Sequence, residues 1–105
     1  MMQFDVYRNE NPASRERFPL LVDVQADLLT DLETRVAIPL APEAAYASKV
    51  LRGLMPVVRI KGKTYVVVTS LMAGIPRRAL GSKVANVSDY REELIAALDL
   101  LLTGV

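Results

Sequence analysis

The apolar positions of this chain fall first into short alternating runs, and only near the end into helical spacing. From Gln3 to Arg8, Phe4 and Val6 share one side while Gln3, Asp5 and Tyr7 share the other, which predicts a half-buried strand. Asn9 to Arg17 is polar and rich in turn residues, so it reads as a loop. Leu20 to Val24 and Arg35 to Leu40 are branched apolar runs and predict the next two strands, with Pro39 marking an edge or bulge where the second ends. Between them lies a polar connector tipped by Leu28 and Leu29. Ala41 to Ala47 has the makings of a short helix, because Pro42 suits a first helical position.

Pro56 to Ile60 and Thr64 to Thr69 flank Lys61-Gly62-Lys63, which predicts a β-hairpin whose glycine takes positive φ. Met72 to Pro76 is one more short strand, limited by its proline. Ser88 to Leu102 is the clearest helix. Ser88 is placed to cap it, Asp89 faces the positive end of its dipole, and Gly104 stops it. On a helical wheel Tyr90, Leu94, Ile95, Leu98, Leu101 and Leu102 share one broad face, expected to pack on the core. Leu100 falls instead beside Glu92 and Glu93, and is expected to be exposed.

Short strands followed by one helix predict a mainly β, antiparallel fold: a small, strongly bent barrel with a C-terminal α-helix. With 105 residues the chain makes one domain, 1–105, without repeats or linkers. Its 51% hydrophobic and 24% charged residues are those of a globular protein. So small a core favours a homodimer, since the apolar Leu100–Val105 end would otherwise face water. No apolar run reaches the ~18–20 residues of a membrane span, and Met1 to Asp5 lacks the basic start of a signal peptide, so a cytoplasmic protein is expected.

The chain has neither cysteine nor histidine. That removes disulfides, thiol chemistry, the usual zinc sites and the one side chain that titrates near neutrality untuned. No cofactor, metal or catalytic residue is expected. A net charge of +1 gives no general pull on nucleic acid, so the partner is expected to be another protein. Asp23, Asp27 and Asp31 lack the spacing of a metal loop and read as solvated carboxylates or turn caps. Lys61-Gly62-Lys63 lacks the glycine spacing of a phosphate loop. Arg77-Arg78 reads as solvated charge.

Several segments in order resemble the CcdB toxin family: Phe4-x-Val6-Tyr7, the run from Leu21 to Leu29, Arg35-Val36-Ala37-Ile38-Pro39-Leu40, and the closing Thr103-Gly104-Val105. The resemblance spans nearly the whole chain. It implies an SH3-like barrel with a small side sheet and a C-terminal helix, as in CcdB, Kid and MazF. It also implies a non-enzymatic toxin that binds the A subunit of DNA gyrase as a homodimer and traps it on cleaved DNA. An antitoxin of the CcdA type would neutralise it, and operator DNA would be bound only together with that antitoxin.

Carried over by resemblance, the gyrase-binding residues are Phe4, Leu28, Leu29, Asp99, Thr103, Gly104 and Val105. The antitoxin-binding residues are Arg8, Asn9, Arg15 and Arg17, whose loop reads as mobile and whose basic rim would attract an acidic, disordered peptide. The best-known family pattern ends in tryptophan-glycine-isoleucine; this chain is closer to members ending in threonine-glycine-aliphatic, and Asp99 replaces an amide. Phe4 is also a natural core residue. In extended chain Leu28 and Leu29 face opposite sides, so one of them can anchor the connector to the core. The rival readings are an endoribonuclease toxin of the MazF/Kid type and a non-toxic relative that only binds antitoxin.

Overall fold

The computed structural model describes residues 1–29, 32–46, 51 and 53–104. Strands β1 (Asp5–Asn9), β2 (Leu20–Asp23) and β3 (Thr34–Pro42) are followed by a single helical turn, α1 (Glu43–Tyr46). Then come β4 (Val57–Ile60), β5 (Lys63–Val67), β6 (Ala73–Pro76), β7 (Leu80–Asn86) and the closing helix α2 (Arg91–Thr103). The strands form one antiparallel sheet in the order β4-β5-β3-β2-β1-β7, with β6 added on β3. The sheet is curled into a half-barrel.

Alternation selects the core. Val6, Leu20, Val22, Ile38, Leu40, Val58, Ile60 and Val67 project to one side and meet Leu94 of α2, with Tyr90, Ile95 and Leu98 packed against them. A smaller cluster joins Phe18, Ala41, Met55, Val66 and Val68. The β4–β5 hairpin is as predicted. Lys61 and Gly62 both have positive φ, 51° and 82°, the geometry of a two-residue hairpin turn.

β3 does not end at Pro39. Its first half, Thr34–Ala37, pairs with β6 and its last residues, Leu40–Pro42, pair with β5 on the same edge. Pro39 sits at the gap between those partners, where its carbonyl accepts from the Val68 N–H at 3.0 Å and no ladder N–H is required.

The expected half-buried first strand is buried on both sides: Asp5 and Tyr7 are inaccessible as well as Val6. Asp23, expected to be solvated or a turn cap, is not solvated: it is 0% exposed and bonded to Arg35, also 0% exposed, with Nη2 to Oδ2 at 2.7 Å and Nε to Oδ2 at 2.8 Å, while its Oδ1 accepts the Gln25 N–H as a turn cap does. Alternation identifies which residues share a face and does not say whether the opposite face is also covered. The alternation pattern predicts no strand at β7, since Gly81, Ser82 and Lys83 after Leu80 carry no apolar alternation.

The helix starts later than Ser88. A 3-10 turn spans Ser88–Tyr90, and no side chain caps either start. Asn86 Oδ1 instead accepts the Ser88 N–H at 2.9 Å. Leu102 belongs to the predicted core face but is 70% exposed, because the last turn of α2 leaves the covered surface. Leu100, expected outside, is half-buried beside Gly53.

Candidate functional site

Asp27–Leu29 forms a 3-10 turn without a buried residue. Leu28 is 96% exposed and Leu29 49%, so neither leucine anchors the connector. Polar bonds hold it instead. Asp27 Oδ1 accepts the Gln3 N–H at 2.6 Å, and Leu29 O accepts the Gln25 side-chain amide at 2.7 Å. Asp27 thus tethers the connector to the N-terminal segment rather than capping its own turn; Asp31 lies outside the described residues.

Gln3 ties this turn to the helix. Its Nε2 donates to Val24 O at 3.1 Å, and its Oε1 accepts from Arg91 Nη1 at 3.1 Å. The Arg91 guanidinium also lies 5.6 Å from the centre of the Phe4 ring, a cation–π contact. Phe4 itself is 2% exposed with φ 69°, a conformation that bulky residues rarely take. Its N–H donates to Asp23 O and its carbonyl accepts from Val87 N, so the backbone is satisfied while the ring turns inward. Phe4 therefore underlies this face and presents no side chain to a partner.

From Arg91 the face continues along α2. Ile95, Asp99 and Thr103 follow at intervals of one helical turn, and Arg91, Glu92, Ile95, Ala96 and Asp99 line a shallow depression. At 1.5 Å per residue Asp99 stands about 12 Å from Arg91 along the axis. Thr103 Oγ1 donates to Asp99 O at 2.6 Å. Gly104 takes left-handed geometry, φ 73°, and its N–H donates to Leu100 O at 2.9 Å, ending the helix as expected. Val105 lies outside the described residues. Through Gln3 and Arg91 the turn bearing Leu28 is thus linked to the start of the helix whose later turns carry Asp99 and Thr103. Sequence reasoning missed that bridge. Its only local trace is a glutamine at the start of an apolar strand.

The Asn9–Arg17 loop is built of hydrogen-bonded turns. Asn9 is 8% exposed; its amide donates to Ser14 Oγ at 3.0 Å and Phe18 O at 2.9 Å, and its Oδ1 accepts the Asn11 N–H at 3.0 Å. Asn9 shapes the loop, whereas Arg8, Arg15 and Arg17 are exposed. Arg17 reaches Tyr46 Oη at 3.3 Å and lies 5.3 Å from the Phe18 ring centre. Arg8 lines a second depression with Lys63, Tyr65 and Pro42, a basic contribution from the hairpin that the sequence reading had left in a turn. A mostly apolar cavity of about 260 Å³ lies between the loop and the sheet, lined by Asn11, Phe18, Leu21, Leu71 and Ile75 among others.

Among the described residues, four ionisable ones, Asp5, Tyr7, Asp23 and Arg35, are buried. Asp5 accepts from Met2 N at 2.9 Å, Tyr7 Oη at 3.2 Å, Asn86 Nδ2 at 3.0 Å and Lys83 Nζ at 3.1 Å. Burial pushes its carboxyl up, but these donors outweigh burial and leave it below the ordinary aspartate value. Burial, reinforced by the Asp5 charge, pushes the Tyr7 hydroxyl up to about 12. Burial likewise raises Asp23, against the opposing pull of Arg35. Among the described residues, no three histidine, cysteine or carboxylate side chains group to hold a metal.

A family model described as CcdB protein matches residues 3–104, nearly the whole chain. The chain belongs to the CcdB family. As a CcdB protein it is a toxin of a toxin–antitoxin pair. The mainly β, curled sheet and closing helix agree with the CcdB-like architecture expected from the sequence. No described helix is long and apolar enough to cross a membrane.

Proposed function

We propose that this CcdB protein acts without catalysis, by binding the A subunit of DNA gyrase and holding the enzyme on cleaved DNA. The observation that carries the reading is Leu28. A leucine 96% exposed on a turn fixed by hydrogen bonds is an apolar contact awaiting a partner, and it flanks the helix that carries Asp99 and Thr103. Leu29, Gly104 and Val105 complete the contact, while Phe4 supports it from below. The buried Asp5–Tyr7 and Asp23–Arg35 pairs support binding over chemistry, because their side chains are engaged with one another.

In this proposal the toxin works in the cytoplasm as a homodimer, matching the two-fold symmetry of gyrase. A CcdA-type antitoxin binds across Arg8, Arg15 and Arg17 and recruits the toxin to operator DNA. The test adds purified toxin to gyrase and plasmid DNA, and scores cleaved DNA after denaturation. Wild type should accumulate cleaved plasmid, and Leu28→Ala should need at least tenfold more protein at unchanged melting temperature. An RNA-cleavage assay beside it should show nothing. Cleaved RNA with unaffected gyrase would replace this reading with the ribonuclease one, and inactivity in both assays would favour a relative that only binds antitoxin.

A further inference from the structure

The turn bearing Leu28 poses a mechanical problem. It buries no side chain, and Ala26 before it and Leu32 after it are exposed as well. Hydrophobic contact therefore does not hold Leu28 outward. Left to itself, such a segment would fold its leucines onto the nearest apolar surface.

Gln25 supplies the fastening. It is 6% exposed, and its single amide bridges two elements: Nε2 donates to Leu29 O at 2.7 Å, while Oε1 accepts the Val36 N–H of β3 at 3.0 Å. Its own backbone is seated by the buried ion pair. Gln25 N–H donates to Asp23 Oδ1 at 3.0 Å, and Gln25 O accepts from Arg35 Nη2 at 3.5 Å. The chain Arg35–Asp23–Gln25–Leu29 thus runs from the interior to the turn.

We infer that Gln25 is a positioning residue for the partner contact, fixing the Leu29 carbonyl so that Leu28 projects outward. This rests on the reading of Leu28 as a gyrase contact. The site demands a donor at one end of one planar group and an acceptor at the other. Glutamine meets that demand, an ionised glutamate has acceptors only, and a protonated glutamate regains the donor.

That chemistry supplies the test, on the full chain carrying Gln25→Glu, with Gln25→Met as a second variant. The first readout is affinity for the isolated gyrase A subunit between pH 8 and 5. Gln25→Glu should bind about tenfold more weakly than wild type at pH 8, the size expected for one lost hydrogen bond, and should recover as the side chain takes up a proton. Gln25→Met should be weak throughout, and Leu28→Ala should be weak without recovery. Asp23 and Arg35 bond the Gln25 backbone and Asp27 bonds the Gln3 N–H, and all three charges remain in wild type, whose profile is the reference.

The second readout needs no partner: amide chemical shifts and hydrogen exchange across Asp27–Leu29 and at Val36. Gln25→Glu should perturb them at pH 8 and restore them on acidification. Unchanged turn signals in Gln25→Glu, or wild-type binding across the whole pH range, would overturn the inference. If wild type itself does not bind gyrase, the functional reading fails, and the partner role of Gln25 with it; the amide signals then still report whether Gln25 fixes the turn.

Discussion

Gln3 and Arg91 stand 88 positions apart in sequence, yet the glutamine Oε1 accepts from the arginine Nη1 at 3.1 Å. The same glutamine donates its backbone N–H to the Asp27 carboxylate. The bend that allows this is the positive φ at Phe4, which accompanies a ring turned into the core beside a half-buried Gln3. A strained residue of order 1–3 kcal/mol is retained where the surrounding packing fixes it. Here it joins the two segments to which we assign the partner contact.

The buried tyrosine gives an alkaline signature. Tyr7 titrates near 12 in the fold, against 10 for the free side chain. The unfolded chain therefore loses this proton first as pH rises. The stability tied to it is complete below pH 10 and is lost between 10 and about 12, amounting to roughly 2–3 kcal/mol. Urea unfolding of wild type and Tyr7→Phe across that interval checks it. Wild type should fall more steeply, and parallel curves would show that Tyr7 is not the group responsible.

The Asp23–Arg35 pair should behave as a buried ion pair with an imperfect shell, since Arg35 Nη1 is buried without a hydrogen-bond partner. Arg35→Met should cost about 3–5 kcal/mol, because it strands a carboxylate in the interior. Adding Asp23→Leu should recover part of that loss. Unfolding free energies of the two singles and the double variant give the coupling. Additive losses would mean that the pair does not act as a unit.

How far the sequence spoke depended on how local each cause was. The β4–β5 hairpin was legible because Lys61-Gly62 carries its own turn chemistry, and the helix stop because Gly104 does. Leu94 and Leu98 were legible from helical spacing. Leu102 was not, because spacing assigns a direction and cannot say where the covered surface ends. The same limit hid Asp23 and Arg35: they lie on different strands, and neither strand's own alternation says that the two meet or that both are buried. Of the candidate surface, Leu28, Asp99 and Thr103 were readable by family pattern. Gln3, Gln25 and Arg91 were not, since their partners lie in other elements.

The exposed arginines of the Asn11–Arg17 segment offer a separable test of antitoxin recognition. Replacing Arg15 and Arg17 with glutamate should slow association with an acidic antitoxin peptide about tenfold at low salt, and the difference should shrink as salt screens it. Arg17 also touches Tyr46 and Phe18, so Arg15→Glu alone is the variant expected to leave stability untouched. Stopped-flow rates at two ionic strengths decide the matter. Equal rates and salt slopes for wild type and variant would remove this rim from the interface.

Removing Gly104 and Val105 should separate fold from action at the far end of the same face. Gly104 is exposed, and its contribution to the fold is the cap bond to Leu100 O. α2 is held further back, through buried Leu94 and Ala97. Loss of the cap should therefore cost under about 1 kcal/mol, well short of the ~2–5 kcal/mol of a core Leu→Ala change. Partner binding should respond differently, since a few central residues carry most of the energy of an interface. Gly104, lacking a side chain, would let a partner's backbone approach, and Val105 would add an apolar contact beyond Thr103. The expected result is a near-normal melting temperature with no trapping of cleaved DNA by gyrase. A folded truncation that still traps would remove this end from the contact surface. A collapse in melting temperature would instead show that the last turn of α2 depends on its cap.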